Sequence, residues 1–266
     1  MKPYYEENGV SLYLGDCREV LPALEYVDHV LTDPPYVRDV YQRLRSPNTH
    51  KGSGTPARMG IRNHQYSSVS IEKLAAGAIG SIDEMLDQVA LEIARLTRRW
   101  ALVFSDFENA HVWRFALEDA GMRYVRAGAW FKPDPMPQFS GDRPAVGFEP
   151  CTIAHAQGPM RWNGGGRAAT WTHGTVKKDR PDHPCPKPFG LMLELVSLFS
   201  DPDETILDPF AGSGTTLIAA KQLGRKAIGV EVDEKFCEVA AERLRVTSRQ
   251  LSISFSGEQQ KLEATA

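Results

Sequence analysis

The sequence predicts a doubly wound α/β fold around a mostly parallel sheet. Three observations predict it. Short apolar runs alternate with helix-length amphipathic stretches, which argues for parallel strands joined by helical crossovers. Two of those runs end in acidic, turn-forming motifs of the kind that line the crevice at the carboxyl ends of such a sheet. The 266 residues are 42% hydrophobic, enough for one sizeable core. In order, Val10 to Leu14 reads as a strand, Cys17 to Leu24 as a short helix and Val27 to Thr32 as a buried strand. Ser81-Ile82-Asp83-Glu84 matches a capping box, and Ile82, Leu86, Val89, Ile93 and Leu96 follow at helical spacing. Trp100 to Phe104 is the next strand, and Glu108 to Ala120 a helix stopped by Gly121. Tyr124 to Phe131 and Cys151 to Ala156 read as strands, and Pro188 to Ser200 as an amphipathic helix. Thr205 to Leu207 and Lys226 to Val232 are strands, followed by helices at Thr216 to Leu223 and Asp233 to Val246. Residues after Thr247 are rich in Ser, Gln, Glu and Thr, and read as a flexible tail over 247–266.

Asp33-Pro34-Pro35-Tyr36 closes the Val27 to Thr32 strand. Asp33 is a carboxylate at a carboxyl end. The two prolines stiffen the backbone and remove two N–H donors, so local carbonyls remain as acceptors. Tyr36 adds a flat ring. The combination suits a planar group that carries an NH2, although Asp-Pro-Pro also makes a serviceable turn. Far downstream, Asp208-Pro209-Phe210-Ala211-Gly212-Ser213-Gly214-Thr215-Thr216 joins a strand to a helix. Its glycines permit a tight turn and close backbone approach, and the helix N-terminus then faces a ligand. It is not a phosphate-binding P-loop, because no Gly-Lys-Ser/Thr follows. The next strand runs into Glu231, about 20 residues beyond the glycine turn, where a carboxylate can accept from ribose hydroxyls. The loop and Glu231 point to an adenosine-containing cofactor.

With these motifs the chain resembles the β-class, circularly permuted DNA amino-methyltransferases that use S-adenosylmethionine. Asp33 to Tyr36 is similar to their catalytic motif and Asp208 to Thr216 to their cofactor loop. His183-Pro184-Cys185-Pro186-Lys187-Pro188 is similar to their His-Pro-x-x-Lys-Pro element, and Leu14-Gly15-Asp16-Cys17 to their Gly-Asp element. The catalytic motif precedes the cofactor motif, as in the β class. The resemblance spans roughly Ser11 to Leu244 and implies a Rossmann-like class I methyltransferase fold. That fold has an antiparallel strand near one edge, expected here among the strands after Gly121.

The resemblance assigns Asp33, Pro34, Pro35 and Tyr36 to catalysis. Cofactor contact falls to Asp16, Cys17, Asp33, Lys187, Asp208, Phe210, Ala211, Gly212, Ser213, Gly214, Thr215, Thr216, Glu231 and Val232. Lys187 is placed near the methionine carboxylate, Glu231 on the ribose and Asp16 near the adenine; Asp16 also suits a helix cap. In this family an Asp at the first motif position leans to N6 of adenine and a Ser to N4 of cytosine. Adenine N6 in a flipped-out base is therefore the expected target, with cytosine N4 the alternative and a non-catalytic cofactor- and DNA-binding module a minor one. Pro150-Cys151 and Pro184-Cys185 echo the nucleophile of cytosine-C5 enzymes, but neither has that family's surrounding motif.

The net charge of −3 hides two basic segments. Between Val37 and Tyr66, Arg38, Arg43, Arg45, Lys51, Arg58 and Arg62 face one acid, Asp39. Between His155 and His183, Arg161, Arg167, Lys177, Lys178 and Arg180 outnumber Asp179 and Asp182, with Trp162 and Trp171 around Gly164-Gly165-Gly166. Basic groups with interleaved aromatics suit phosphate and stacking contacts. Two solvated loops with core-seeking tryptophans give the same pattern. The expected organisation is a methyltransferase domain over 1–246, with a basic loop at 37–80 and a target-recognition region at about 133–183 inserted. No apolar run approaches the roughly 18 residues of a membrane helix, and Met1 to Tyr5 lacks a signal-peptide core. Four cysteines without a Cys-x-x-Cys pair favour a reduced interior and no metal. These features predict a cytoplasmic protein with no membrane, and the resemblance implies a nucleoid-associated enzyme of bacterial or phage origin with DNA as partner. The resemblance leaves room for a homodimer and for a cognate restriction endonuclease.

Overall fold

The computed structural model describes residues 1–35, 82–107, 109–137, 140–176 and 187–263. Its elements in chain order are β1 (Tyr5–Glu7), β2 (Val10–Leu14), α1 (Cys17–Val20), β3 (His29–Thr32), α2 (Ile82–Leu96), β4 (Trp100–Phe104) and α3 (Ala110–Asp119). They continue as β5 (Arg123–Phe131), β6 (Phe148–His155), β7 (Thr170–Thr172), α4 (Phe189–Phe199), β8 (Thr205–Asp208), α5 (Thr215–Gln222), β9 (Lys226–Glu231) and α6 (Glu234–Glu263). Among the described residues the strands form one sheet in the order β1-β2-β9-β8-β3-β4-β6-β5-β7.

The centre of that sheet, β2-β9-β8-β3-β4, is parallel throughout. β6 enters antiparallel between β4 and β5, which is the reversed strand expected after Gly121. Strands covered on both faces should read as unbroken apolar runs, and β3 and β4 are buried along their whole lengths. Side chains alternate between two cores. Val30, Ala101, Val103 and Leu207 face one, with Leu86, Val89, Ile93 and Leu96 of α2 and Trp113 and Leu117 of α3. Leu31, Leu102, Phe104 and Ile206 face the other, with Leu191 and Leu195 of α4, Leu217 of α5 and Ala240 and Leu244 of α6.

Several boundaries differ from the sequence reading. Val27 makes only an isolated bridge to Thr97, so β3 starts two residues later than the apolar run. The Cys17 to Leu24 helix divides into α1 and a 3-10 turn at Leu21–Ala23, which carries Pro22. The segment expected as a tail over 247–266 carries the last turns of α6, which continues through Glu263. Thr247 and Ser248 are buried, and Ser248 donates to Glu7 at 2.7 Å, so the helix is held against β1. β1 and β7 escaped the reading because three-residue edge strands carry too little periodicity.

Ile93 is fully buried on α2 beneath the parallel strands. Ile93→Ala should cost about 2–5 kcal/mol of stability in urea denaturation. A loss below about 1 kcal/mol would mean that α2 does not seal this side of the sheet.

Candidate active site

The motifs converge because four neighbouring parallel strands end side by side. β2 ends before Asp16, β9 at Glu231, β8 at Asp208 and β3 before Asp33. All four acids therefore share the carboxyl-end rim, on both sides of the point where the strand order reverses, which is where open α/β sheets form their ligand crevice. The join between the two motifs is direct. Thr32 Oγ1 donates to Asp208 Oδ1 at 2.7 Å, and the Phe210 N–H donates to the same oxygen at 3.1 Å. Burial pushes the Asp208 carboxyl up to about 6, against the opposing pull of its bonds to Thr216, Thr32 and Phe210. Asp208 is only 3% exposed, so its role is to tie the loop to β3.

Around the glycine turn, Gly212 and Gly214 both take positive φ, +51° and +78°. A Cβ on Gly214 would lie 2.9 Å from Ala240 Cβ, so this glycine lets α6 pack against the loop. Glu231 is the organising acceptor. The Gly212 N–H donates to its Oε2 at 2.8 Å and the Asp233 N–H to its Oε1 at 2.9 Å. Burial raises its pKa while these N–H bonds lower it. Arg243 of α6 donates to the Ser213 carbonyl at 2.6 Å, to Ser213 Oγ at 2.9 Å and to Thr215 Oγ1 at 3.3 Å, bracing the loop from behind. Thr215 and Thr216 are both buried. Phe210 is partly buried, Ala211 buried and Val232 exposed at the rim.

Asp16 caps α1, accepting from the Arg18 N–H at 2.9 Å and from the Arg18 guanidinium at 2.5 Å. The next residue, Cys17, turns into the core, and burial pushes its thiol up to about 12. The Gly15 N–H donates to the Glu231 carbonyl at 2.9 Å, so Asp16 and Glu231 belong to one corner.

At Asp33 the structure adds a charge chain. Lys187 Nζ lies 2.5 Å from Asp33 Oδ2 and 3.0 Å from Glu149 Oε2, and Glu149 Oε1 lies 2.5 Å from Lys132 Nζ. The Lys187 ammonium also stands 5.1 Å from the centre of the Phe104 ring. Lys187 is 8% exposed. Its ammonium is engaged by two protein carboxylates. Burial is the largest influence on Asp33 and raises its pKa, with Lys187 pulling the other way. Asp33 Oδ1 is buried and has no hydrogen-bond partner among the described residues. Glu149 and Lys132 were missed by the sequence reading. The available signal was an acid flanked by apolar residues in Phe148-Glu149-Pro150-Cys151, a poor place for a charge without a partner. Beside this cluster Phe107, Phe131 and Phe148 are exposed, and Phe148 contacts the other two, with ring centroids at 5.9 Å to Phe107 and 6.0 Å to Phe131.

Tyr36, Arg38, Arg43, Arg45, Lys51, Arg58, Arg62, Lys177, Lys178 and the His183 to Pro186 part of the Pro-rich element lie outside the described residues. Of the second basic segment, Arg161 is placed away from the crevice. It pairs with Asp201 at 3.2 Å, and its carbonyl accepts from Trp100 Nε1 at the start of β4, the opposite end of the sheet from Asp33. Arg167 pairs with Glu194 on α4 at 2.7 Å. Trp171 is a core residue, and Trp162 packs partly buried against that core. Trp171 is 1% exposed, and both Trp162 and Trp171 pack on Phe199. Their apolar area is better buried beside α4 than offered to solvent.

Sheet order and the reversed strand together match the class I methyltransferase fold. Comparison with known proteins narrows this. The DNA methylase family of N6/N4 methyltransferases matches residues 157–242. The type II methyltransferase M2.LlaDCHI of Lactococcus lactis subsp. cremoris is 27% identical over 267 residues, covering 91% of this chain and 92% of that protein. TTHA0409, a putative DNA modification methylase from Thermus thermophilus solved with S-adenosyl-L-methionine, superposes with a TM-score of 0.58 at 25% identity, over 89% of this chain and 93% of that one. The cytosine-N4-specific PvuII DNA methyltransferase gives a TM-score of 0.66 at 17% identity, over 92% and 88%. Over most of its length the chain is thus similar to amino-methylating DNA methyltransferases, with the Asp33 motif ahead of the glycine turn.

Asp208 offers a test of the join. A carboxyl whose pKa is raised by folding binds its proton more tightly in the folded chain. Its contribution is therefore fully present below the unfolded value and is lost as pH rises, here between about pH 4 and pH 6. Asp208→Asn, which cannot ionise, should gain stability relative to wild type across that window by on the order of 2–3 kcal/mol. A difference in denaturation free energy that stays flat with pH would show that Asp208 is not held by burial.

Proposed function

We propose that this chain transfers a methyl group from S-adenosylmethionine to the exocyclic N6 of adenine in DNA, with Asp33 as the acceptor that orients the amino group. The observation that carries this reading is the buried, unpartnered Oδ1 of Asp33, one strand away from the glycine turn. A buried acceptor without a donor is costly in a finished fold and suits a ligand that brings one.

The residues present fit the cofactor. Acids on neighbouring strand ends make the crevice favourable to a sulfonium and an ammonium. Glu231 already accepts one N–H on each oxygen, and its remaining lone pairs can receive ribose hydroxyls. When bound, S-adenosylmethionine supplies an electrophilic methyl carbon on positively charged sulfur. The chain supplies the rest. Asp33 Oδ1 and the Pro34 carbonyl accept the two amino hydrogens, which draws the nitrogen toward a tetrahedral geometry with a freer lone pair. With the cofactor bound, the rim would hold the nitrogen facing the methyl in a near-attack placement. Asp33 needs no unusual basicity, because the nitrogen's proton becomes acidic only once the methyl has arrived. A base stacked in a duplex cannot reach Asp33, so the target is flipped out or single-stranded. The exposed Phe107, Phe131 and Phe148 rings offer such a base an apolar surface.

Asp at the first motif position supports adenine. The fold shared with the cytosine-N4-specific PvuII enzyme keeps N4 of cytosine as the second reading. Sequencing that distinguishes the two modified bases, on DNA from cells expressing the chain, should find N6-methyladenine at a recurring site. N4-methylcytosine alone would overturn the base assignment and leave the reaction class intact.

Asp33→Ala should lower methyl incorporation into DNA by at least about 10³-fold and change S-adenosylmethionine affinity by less than about tenfold, since it removes the group that orients the nucleophile. Incorporation at the wild-type rate by a folded variant would sink the assignment.

A further inference from the structure

Burying the Oδ1 of Asp33 raises a problem that one lysine does not solve. An aspartate free to rotate would satisfy itself by presenting both oxygens to the Lys187 ammonium, leaving neither for substrate. A lysine is a compact charge on a long stem, with weak directional preference of its own. Something must fix where that ammonium sits.

Glu149 is placed to do so. It lies on β6, opposite Trp130 of β5, so its backbone is set by an antiparallel ladder on a neighbouring part of the sheet. Its Oε2 is 3.0 Å from Lys187 Nζ and its Oε1 is 2.5 Å from Lys132 Nζ. Lys132 itself stands over the Trp130 ring at 4.8 Å, and its N–H donates to the Gly147 carbonyl at 2.8 Å, which closes the same hairpin. The four groups alternate in sign, Lys132, Glu149, Lys187 and Asp33, and sum to zero charge. Lys187 is thus held by Glu149 on one side and Asp33 Oδ2 on the other, with the Phe104 ring beneath it.

We propose that Glu149 is a positioning residue for methyl transfer: by anchoring Lys187 it pins Asp33 through Oδ2 and keeps Oδ1 turned to the substrate amino group. The proposal rests on the reading of Asp33 given above. It assigns Glu149 no contact with cofactor or base, so its loss should act on the rate of the step and not on ligand binding.

The experiment measures single-turnover methylation of DNA by the full chain at saturating S-adenosylmethionine, together with KM for DNA, cofactor affinity by titration calorimetry and Tm. Glu149→Gln keeps the shape and removes the charge. It should slow the transfer step by about 10- to 100-fold, the scale of a small misplacement of a reacting group. KM and cofactor affinity should stay within about threefold. The discriminating comparison is a double-mutant cycle. In a Lys187→Gln background, Glu149→Gln should cost less than about threefold further, because the residue through which it acts is gone. A folded Glu149→Gln enzyme with the wild-type rate, or an equal cost in both backgrounds, would overturn the proposal. So would a loss confined to Tm and cofactor affinity. If Glu149→Gln does not fold, Lys132→Gln carries the same test, since it frees one end of the anchor, and a slowed step at unchanged KM is again the supporting result. Absence of DNA methylation by the wild-type chain would overturn the functional reading and this assignment with it, whereas an active wild type whose rate Glu149→Gln leaves unchanged overturns this assignment alone, so the two failures are distinguishable.

Discussion

The site depends on the parallel pairing of β3 with β8, locked at its carboxyl end by the hydrogen bond from Thr32 to Asp208. Pairing places Val30 beside Leu207, and the strands then deliver Asp33 and the glycine turn to one rim although most of the chain lies between them. The lock is made by buried groups. That matters because a buried hydroxyl and a buried carboxyl are each costly alone and stabilising together. A register slip of one residue would turn every side chain to the other face and leave both groups in apolar surroundings. The chemistry of the rim and the correctness of the fold are therefore enforced by the same contact.

Charge placement follows from that geometry. The carboxyl ends of β2, β9, β8 and β3 bring four acids into one region, and each is restrained differently. Asp16 is neutralised by Arg18, Asp208 by hydroxyl and backbone donors, Glu231 by two backbone N–H groups and Asp33 by Lys187. In the first three, these donors come from the acid's own local loop or its neighbouring strand. Asp33 depends instead on a cation delivered from the segment leading into α4 and steadied from β6. The acid closest to the proposed chemistry is thus also the one whose orientation is drawn from the most distant parts of the chain.

Sequence alone carried the fold and most of the rim, for physical reasons that also mark its limits. The apolar runs at Val27 and Trp100, the cap-like start before α2 and the glycine stop at Gly121 are local signals, and each element formed within a few residues of the expected place. The glycine turn and Glu231 were legible because their spacing in one strand–helix–strand unit is short. Glu149 and Lys132 were not, because their partners are set by the β5–β6 register and by Lys187, and no local pattern announces a long-range ion pair. Composition misled where it was averaged. Trp162 and Trp171 sit among arginines in the sequence, yet in three dimensions they belong to Phe199 and the core. The length of α6 was underestimated because the contact that holds it past Val246, from Ser248 to Glu7 of β1, is long-range and leaves no local pattern.

The reversed strand β6 has a consequence beyond sheet closure. Because it runs against β4, its first residues, and not its last, reach the carboxyl-end rim. Phe148 and Glu149 therefore arrive beside Asp33 from a strand whose apolar remainder, Cys151 to Ala154, is wholly buried. A parallel strand in that position would deliver its final residue and the loop that follows it, a less constrained place for a charge. Entering the rim at a strand's start also puts Glu149 directly across from Trp130, whose indole N–H donates to the His173 carbonyl at 2.8 Å. The antiparallel insertion thus supplies a rigid wall beside Asp33, on the other side of the rim from the glycine turn. Rigid placement of the nucleophile's acceptor and close backbone approach to the methyl donor are the two demands of an in-line transfer, and under the proposed reaction each half of the sheet would meet one of them.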